Sequence, residues 1–194
     1  MATSRPSFIV GIGGSAGGLR AYEALLDALP ARMGMAYVFV CHMLPSANSV
    51  LAKILSKHTK MPVLVASAAM PIRKNHVYVI PPDSDLLIDG ETFKVVSPRS
   101  KRNAQIDIFF MSLAEAWEAR AIGIILSGYD GDGTEGCRLI KAKGGTTFAQ
   151  DMSAEVGDMP LGALAAGFID SVLPPDRIPI ELKRLARAAA NKGA

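Results

Sequence analysis

Apolar positions along the first third of the chain follow two alternating spacings. Phe8-Ile9-Val10-Gly11-Ile12 is a short continuous apolar run that breaks into Gly13-Gly14-Ser15-Ala16-Gly17-Gly18, which reads as a buried strand followed by a glycine turn. Leu19, Tyr22, Leu25, Leu26 and Leu29 then recur at helical steps, on one face of a helix that Pro30 ends. Ala36-Tyr37-Val38-Phe39-Val40-Cys41 is a second strand, closed by His42. After Leu44-Pro45-Ser46, a loop, the positions Val50, Leu51, Ile54 and Leu55 mark a short amphipathic helix, and residues 62–66 a third strand. Continuous apolar strands separated by helices predict a parallel sheet covered on both faces.

The middle of the chain breaks this alternation. Residues 76–80, 86–89 and 92–96 are strand-like with no helix among them, and Asp89-Gly90 is a hairpin turn signal. The pattern predicts an antiparallel flap, inserted in the parallel sheet or added to its edge, and then an exposed loop over 97–104. Alternation resumes with Ile106, Phe109, Phe110, Leu113 and Trp117 on one helical stripe, a strand over 122–126, and a second glycine turn, Gly128-Tyr129-Asp130-Gly131-Asp132-Gly133. A helix over 134–143, a strand over 146–149, a short helix over 161–166, a strand over 168–172 and a terminal helix over 178–190 follow. The predicted fold is α/β: a three-layer, Rossmann-like, mostly parallel sheet with helices on both faces and an antiparallel hairpin flap. One catalytic-size domain is expected over 8–190, with an N-terminal extension of 1–7 and a fraying tail of 191–194.

Length and composition narrow the function classes. A chain of 194 residues holds one core, and 49% hydrophobic with 20% charged residues excludes intrinsic disorder. The 21 basic and 18 acidic residues leave a net charge of +3, too small and dispersed for a nucleic-acid surface; the local cluster Arg99, Lys101 and Arg102 reads as a solvated loop. Cys41 and Cys137 make no disulfide framework and read as core. The opening residues lack a signal-peptide pattern, so a cytoplasmic location is expected. No apolar run approaches the roughly 20 residues of a membrane span, and without paired histidines or Cys-x-x-Cys no metal site is expected.

In a parallel sheet, ligands bind where loops leave the carboxyl ends of the strands. Three such loops carry reactive polar residues: Ser15 after the first strand, His42 closing the second, and Asp130 with Asp132 after the strand ending at Leu126. Serine, imidazole and carboxylate on one rim are the parts of a nucleophile, a base and its orienter. Gly13-x-Ser15-x-Gly17 fits a nucleophile elbow, and the helix starting near Gly18 aims backbone N–H groups at the turn, where they can hold an oxyanion. Gly14, Ala16, Gly17, Tyr129 and Asp130 complete this candidate substrate and oxyanion region. Gly11-x-Gly13-x-x-Ala16 also fits a dinucleotide fingerprint, but that motif needs an acid ending the second strand, where Cys41-His42-Met43 stands. His58, near a helix end, and His76, starting a flap strand, read as structural. The order serine, histidine, acid and the early position of the serine differ from an ordinary α/β-hydrolase.

These motifs resemble the catalytic domain of the chemotaxis protein-glutamate methylesterases. The resemblance is carried by residues 13–18, Cys41-His42-Met43, His76-Val77-Tyr78-Val79-Ile80-Pro81-Pro82, residues 126–133, Ala149-Gln150-Asp151 and Asp158-Met159-Pro160. It is nearest to the version in methylesterase and methyltransferase fusion proteins. It implies hydrolysis of glutamate methyl esters on chemoreceptor helices, with glutamine deamidation as a related activity, no cofactor, Ser15 as nucleophile, His42 as base and Asp132 as orienting acid. Only seven residues precede the first strand, so a receiver domain within this chain is not expected; receiver or methyltransferase domains, separate or fused, are implied partners. Three positions depart from the family pattern and bear on substrate choice: Asp130 in place of a common glycine, Tyr129 in place of methionine, and Leu161 in place of arginine. The alternative from another class is a catalytically weak signalling module that binds a partner at the same rim.

Overall fold

The computed structural model describes residues 5–42 and 48–192. At its centre β1 (Ile9–Gly14) runs parallel to β2 (Ala36–Cys41) on one side and to β7 (Ala121–Ile125) on the other. The described sheet has seven strands in the order β3 (Val63–Val65), β4 (His76–Val79), β2, β1, β7, β8 (Thr146–Gln150) and β9 (Ser171–Leu173), every pair parallel. All residues of β1, β2 and β7 are buried, as continuous apolar runs require of strands covered on both faces.

Alternation along β1 assigns its two faces. Gly11 and Gly13 lie under α3 (Gln105–Trp117): a Cβ at Gly11 would come within 2.7 Å of Phe110, and one at Gly13 within 2.5 Å of Ile106. The Gly11-x-Gly13 spacing therefore serves close helix packing. On the opposite face, the ring of Phe39, register partner of Ile12, meets Tyr22 of α1 (Gly18–Asp27) edge-on with centroids 5.1 Å apart. Helices thus cover both faces, with α4 (Thr134–Ala142) packed beside α3. The remaining helices are α2 (Asn48–Leu55), α5 (Asp158–Ala165) and α6 (Ile178–Lys192).

Several expectations need correction. Residues 76–80 do not join the flap: β4 is an interior parallel strand between β3 and β2, because Val77, Tyr78, Val79 and Ile80 are all buried and need cover on both sides. The antiparallel pair is β5 (Asp85–Asp89) with β6 (Thr92–Val96), turning at Gly90, and it is a separate two-stranded sheet rather than an edge of the main one. It packs on α3, where the Ile88 N–H donates to Ser112 Oγ at 3.1 Å and Trp117 Nε1 to the Gly90 carbonyl at 3.2 Å. The loop over 97–104 is mostly exposed, as expected, and two bonds tie it down: Arg99 pairs with Asp83 at 3.3 Å and the Ser100 N–H donates to Asp85 of β5 at 2.7 Å. Leu19 and Val50, placed on apolar helix faces by spacing, are exposed. α5 starts at Asp158, earlier than expected, since Pro160 sits in a first turn where no intrahelical N–H bond is lost. The last strand falls at Ser171–Leu173, and Asn191 and Lys192 continue α6 instead of fraying. The loop Leu44-Pro45-Ser46, Met43, and the first and last residues of the expected extension and tail lie outside the described residues.

Candidate active site

The chain runs outward from β1 through β2 to β3 and β4, then returns by α3 to β7 on the other side of β1. The carboxyl ends of β1, β2 and β7 are therefore neighbours at a topological switch point. Gly14 and Cys41 are register partners, so Ser15 and His42, the next residue on each strand, leave neighbouring strand ends about 5 Å apart.

His42 and Asp132 are in direct contact. His42 Nε2 lies 2.5 Å from Asp132 Oδ2, with side-chain exposures of 8% and 0%. A carboxylate only accepts, so Nε2 carries the proton in this contact and the lone pair of the neutral ring is on Nδ1. The first turn of α3 fixes the acid: Asp132 Oδ2 accepts the Ile106 N–H at 3.0 Å and Oδ1 accepts the Asp107 N–H at 2.8 Å. These are donors that a helix leaves unsatisfied at its start, where negative charge is favoured. Asp130 lies further out, with Oδ2 4.0 Å from His42 Nδ1 and its side chain 36% exposed. Its φ of 69° is left-handed, a conformation aspartate tolerates better than most residues. Its carboxylate accepts the Asp132 N–H at 3.0 Å and Asn103 Nδ2 at 3.1 Å.

Ser15 sits on a braced turn. Its N–H donates to the Ser127 carbonyl at 2.8 Å, and its own carbonyl accepts the Gly18 N–H at 3.0 Å. Gly17, at φ 72°, makes the left-handed step into α1. Among the described residues, the N–H groups of Ala16 and Gly17 have no hydrogen-bond partner, so this turn has donors available for an anionic oxygen. Gly14 belongs to β1, where a Cβ would fall 2.5 Å from the Tyr22 hydroxyl; its contribution is space. Gly128 permits the approach of the loop after β7, since a Cβ there would lie 3.0 Å from Ser15 Cβ and collide with Met159. Tyr129 is 60% exposed on the same loop. Among the described residues no hydrogen bond joins Ser15 Oγ to His42; catalytic bonds of this kind commonly tighten only with substrate present.

Two supports, Ser127 and Gln150, stand in the motifs that carry the resemblance but were given no role in the sequence reading. Ser127 Oγ donates to the Ala16 carbonyl at 2.8 Å and accepts the Val156 N–H at 2.9 Å, and the Ser127 N–H donates to Gln150 Oε1 at 2.9 Å. The readable signal is a polar residue closing each of two buried strands. Cys41 is no rival nucleophile, because burial pushes its thiol up to about 12. His58 bonds Asp27 at 3.0 Å and His76 bonds the Lys74 carbonyl at 2.9 Å, both in structural settings. Among the described residues no group of three or more His, Cys, Asp or Glu could hold a metal ion, and no helix is long and apolar enough to cross a membrane.

Comparison with known proteins identifies the family and the fold. The family model described as CheB methylesterase matches residues 10–182. A putative protein-glutamate methylesterase/protein-glutamine glutaminase of Leptospira interrogans is 33% identical over 86% of this chain and 89% of its own length. An uncharacterized 104.1 kDa protein of Rhodobacter capsulatus is 38% identical over 66% of this chain, which spans 14% of that protein. The chain spans about half the length of several other relatives named as protein-glutamate methylesterases. The crystal structure of the Thermotoga maritima CheB methylesterase catalytic domain superposes with a TM-score of 0.84 at 30% identity, covering 92% of this chain and 98% of that one. A chain whose family match, fold and switch-point rim all agree in this way belongs to the CheB methylesterase family.

Proposed function

We propose that this chain is a serine esterase that removes methyl groups from glutamate side chains of a signalling protein, with Ser15, His42 and Asp132 as its triad. The observation that carries the assignment is the buried His42–Asp132 contact of 2.5 Å at the end of the strand next to Ser15. Ser15 Oγ attacks the ester carbonyl carbon and gives its proton to His42 Nδ1, while Asp132 stabilises the imidazolium. The N–H groups of Ala16 and Gly17 receive the oxyanion. The C–OCH3 bond breaks, methanol leaves with the proton from Nδ1, and the glutamyl group stays on Ser15 as an ester. Water then attacks that ester and returns its proton through His42, freeing the glutamate carboxylate and Ser15. Glutamine is deamidated along the same path with ammonia as the leaving group.

The substrate is a methylated chemoreceptor or a comparable signalling helix in the cytoplasm, docked over Tyr129 and Asp130 at the mouth. The relative's name, protein-glutamate methylesterase/protein-glutamine glutaminase, supports glutamate and glutamine side chains of a protein as the target, and the exposure of Tyr129 supports docking at the mouth. Control comes from receiver or methyltransferase domains in the same or a separate chain. A second reading, a binding module with weak catalysis, draws on the absent Ser15–His42 hydrogen bond among the described residues. Methanol release from methylated receptor membranes decides between the two: the esterase releases methanol and Ser15→Ala does not, whereas a binding module retains receptor and releases none.

A further inference from the structure

The turn that carries Asp132 is tied to α3 in both directions. Asp132 accepts the N–H groups of Ile106 and Asp107 in the first turn of α3. The Asp107 side chain reaches the other way: its Oδ1 accepts the Gly136 N–H of α4 at 2.7 Å. Each carboxylate thus satisfies orphan donors at the start of a helix belonging to the other's segment. The two helices nearly touch here, since a Cβ on Gly136 would fall 2.3 Å from Phe110 Cβ. Asp107 takes no part in the bond-making steps above. Its burial next to Asp132 is unfavourable for a charge: burial most of all, with the Asp132 and Glu135 charges adding to it, pushes its carboxyl up to about 6 against the lowering effect of the Gly136 N–H bond. The ionisable groups facing it are Asp132, Glu135 and the buried Cys137 thiol.

We propose that Asp107 is a positioning residue for the triad, its carboxylate clamping the 130–136 segment onto α3 so that Asp132 is held against His42. This rests on the esterase reading. The clamp acts only through Asp132, and this sets it apart from general structural support. A displacement of an orienting group by about 1 Å can cost on the order of 10²-fold in rate.

The test is a cycle of Asp107→Ala and Asp132→Asn, with Asp107→Ser replacing the alanine variant should that one not fold. Asp107→Ala is expected to lower kcat by about 10- to 100-fold at unchanged KM in a protein folded at the assay temperature. In the Asp132→Asn background it should lower kcat by no more than about twofold. Asp107→Asn, whose amide oxygen can still accept the Gly136 N–H, should restore most of the loss. A second readout needs no substrate: the downfield proton resonance of the His42 Nε2–H···Asp132 bond should shift or vanish in Asp107→Ala and return in Asp107→Asn. Equal losses in both backgrounds, or an unchanged resonance in folded Asp107→Ala, would overturn the clamp. A resonance that responds as expected in a protein that never releases methanol would support the clamp and refute the esterase reading.

Discussion

His42 stands between two carboxylates that share one glycine turn and differ in burial. Asp132 is buried and bonded by α3, whereas Asp130 is partly exposed, in a left-handed conformation, and 4.0 Å from the other ring nitrogen. Asp132→Asn should therefore lower turnover by about 10²- to 10⁴-fold, because the amide can no longer hold the ring in its tautomer or balance the imidazolium. Asp130→Gly should keep turnover within about tenfold and change the preference between acidic and basic substrate stretches, with stability unchanged or higher since glycine accepts positive φ freely. Steady-state kinetics on paired acidic and basic methylated peptides, with a thermal melt, check both. Gly128→Ala is a third test, aimed at the nucleophile's space: overpacking against Ser15 and Met159 should cost about 1–3 kcal/mol of stability and at least about tenfold in turnover, measured by denaturant unfolding and methanol release. The placement of Ser15 and His42 at neighbouring strand ends was legible because each directly follows a strand that reads plainly as buried. The choice of Asp132 over Asp130 came from the family resemblance and not from spacing, since the contact with the N-terminus of α3, about 25 residues earlier in the chain, leaves no trace in the spacing.

At the scale of elements, α3 links the core to the site. Its apolar stripe covers the glycines of β1 and its first turn binds Asp132, so a helix recognisable from Ile106, Phe109, Phe110, Leu113 and Trp117 also sets the acid. The titration of Asp107 in its first turn gives a stability prediction. Its carboxyl is raised from 3.8 to about 6, so between these values the folded state binds more protons than the unfolded state. This group's contribution must then fall as pH rises through that window and level off above it. Asp107→Asn cannot titrate, so its Tm relative to the unmodified protein should rise from pH 4 to pH 6, within the window set by the value of about 6, and then stay flat. Thermal melts across that range check this, and a relative Tm that falls with pH would contradict the assigned environment. The strands of the middle segment show where pattern reading loses information. Residues 76–80 and the following hairpin are all short and apolar, and only the burial of every residue from Val77 to Ile80 separates an interior parallel strand from a flap strand.

For the whole molecule, alternation of strands and helices was enough to specify a doubly covered parallel sheet, and the motifs at strand ends were enough to suggest the family. Strand order was not readable, because β4 lies between β2 and β3 and the return through α3 to β7 involves contacts distant in sequence. That return makes the site, since it brings the acid loop to the side of β1 opposite His42's strand and closes the rim around Ser15. The central claim is that these three loops form one catalytic unit. Its most direct test is the turnover of Ser15→Ala, His42→Ala and the double variant in methanol release from a methylated receptor. Members of a triad act together, so each single variant should lose at least about 10³-fold and the double variant should lie within about tenfold of the singles. Losses that multiply in the double variant, or a Ser15→Ala protein that still turns over, would contradict the account.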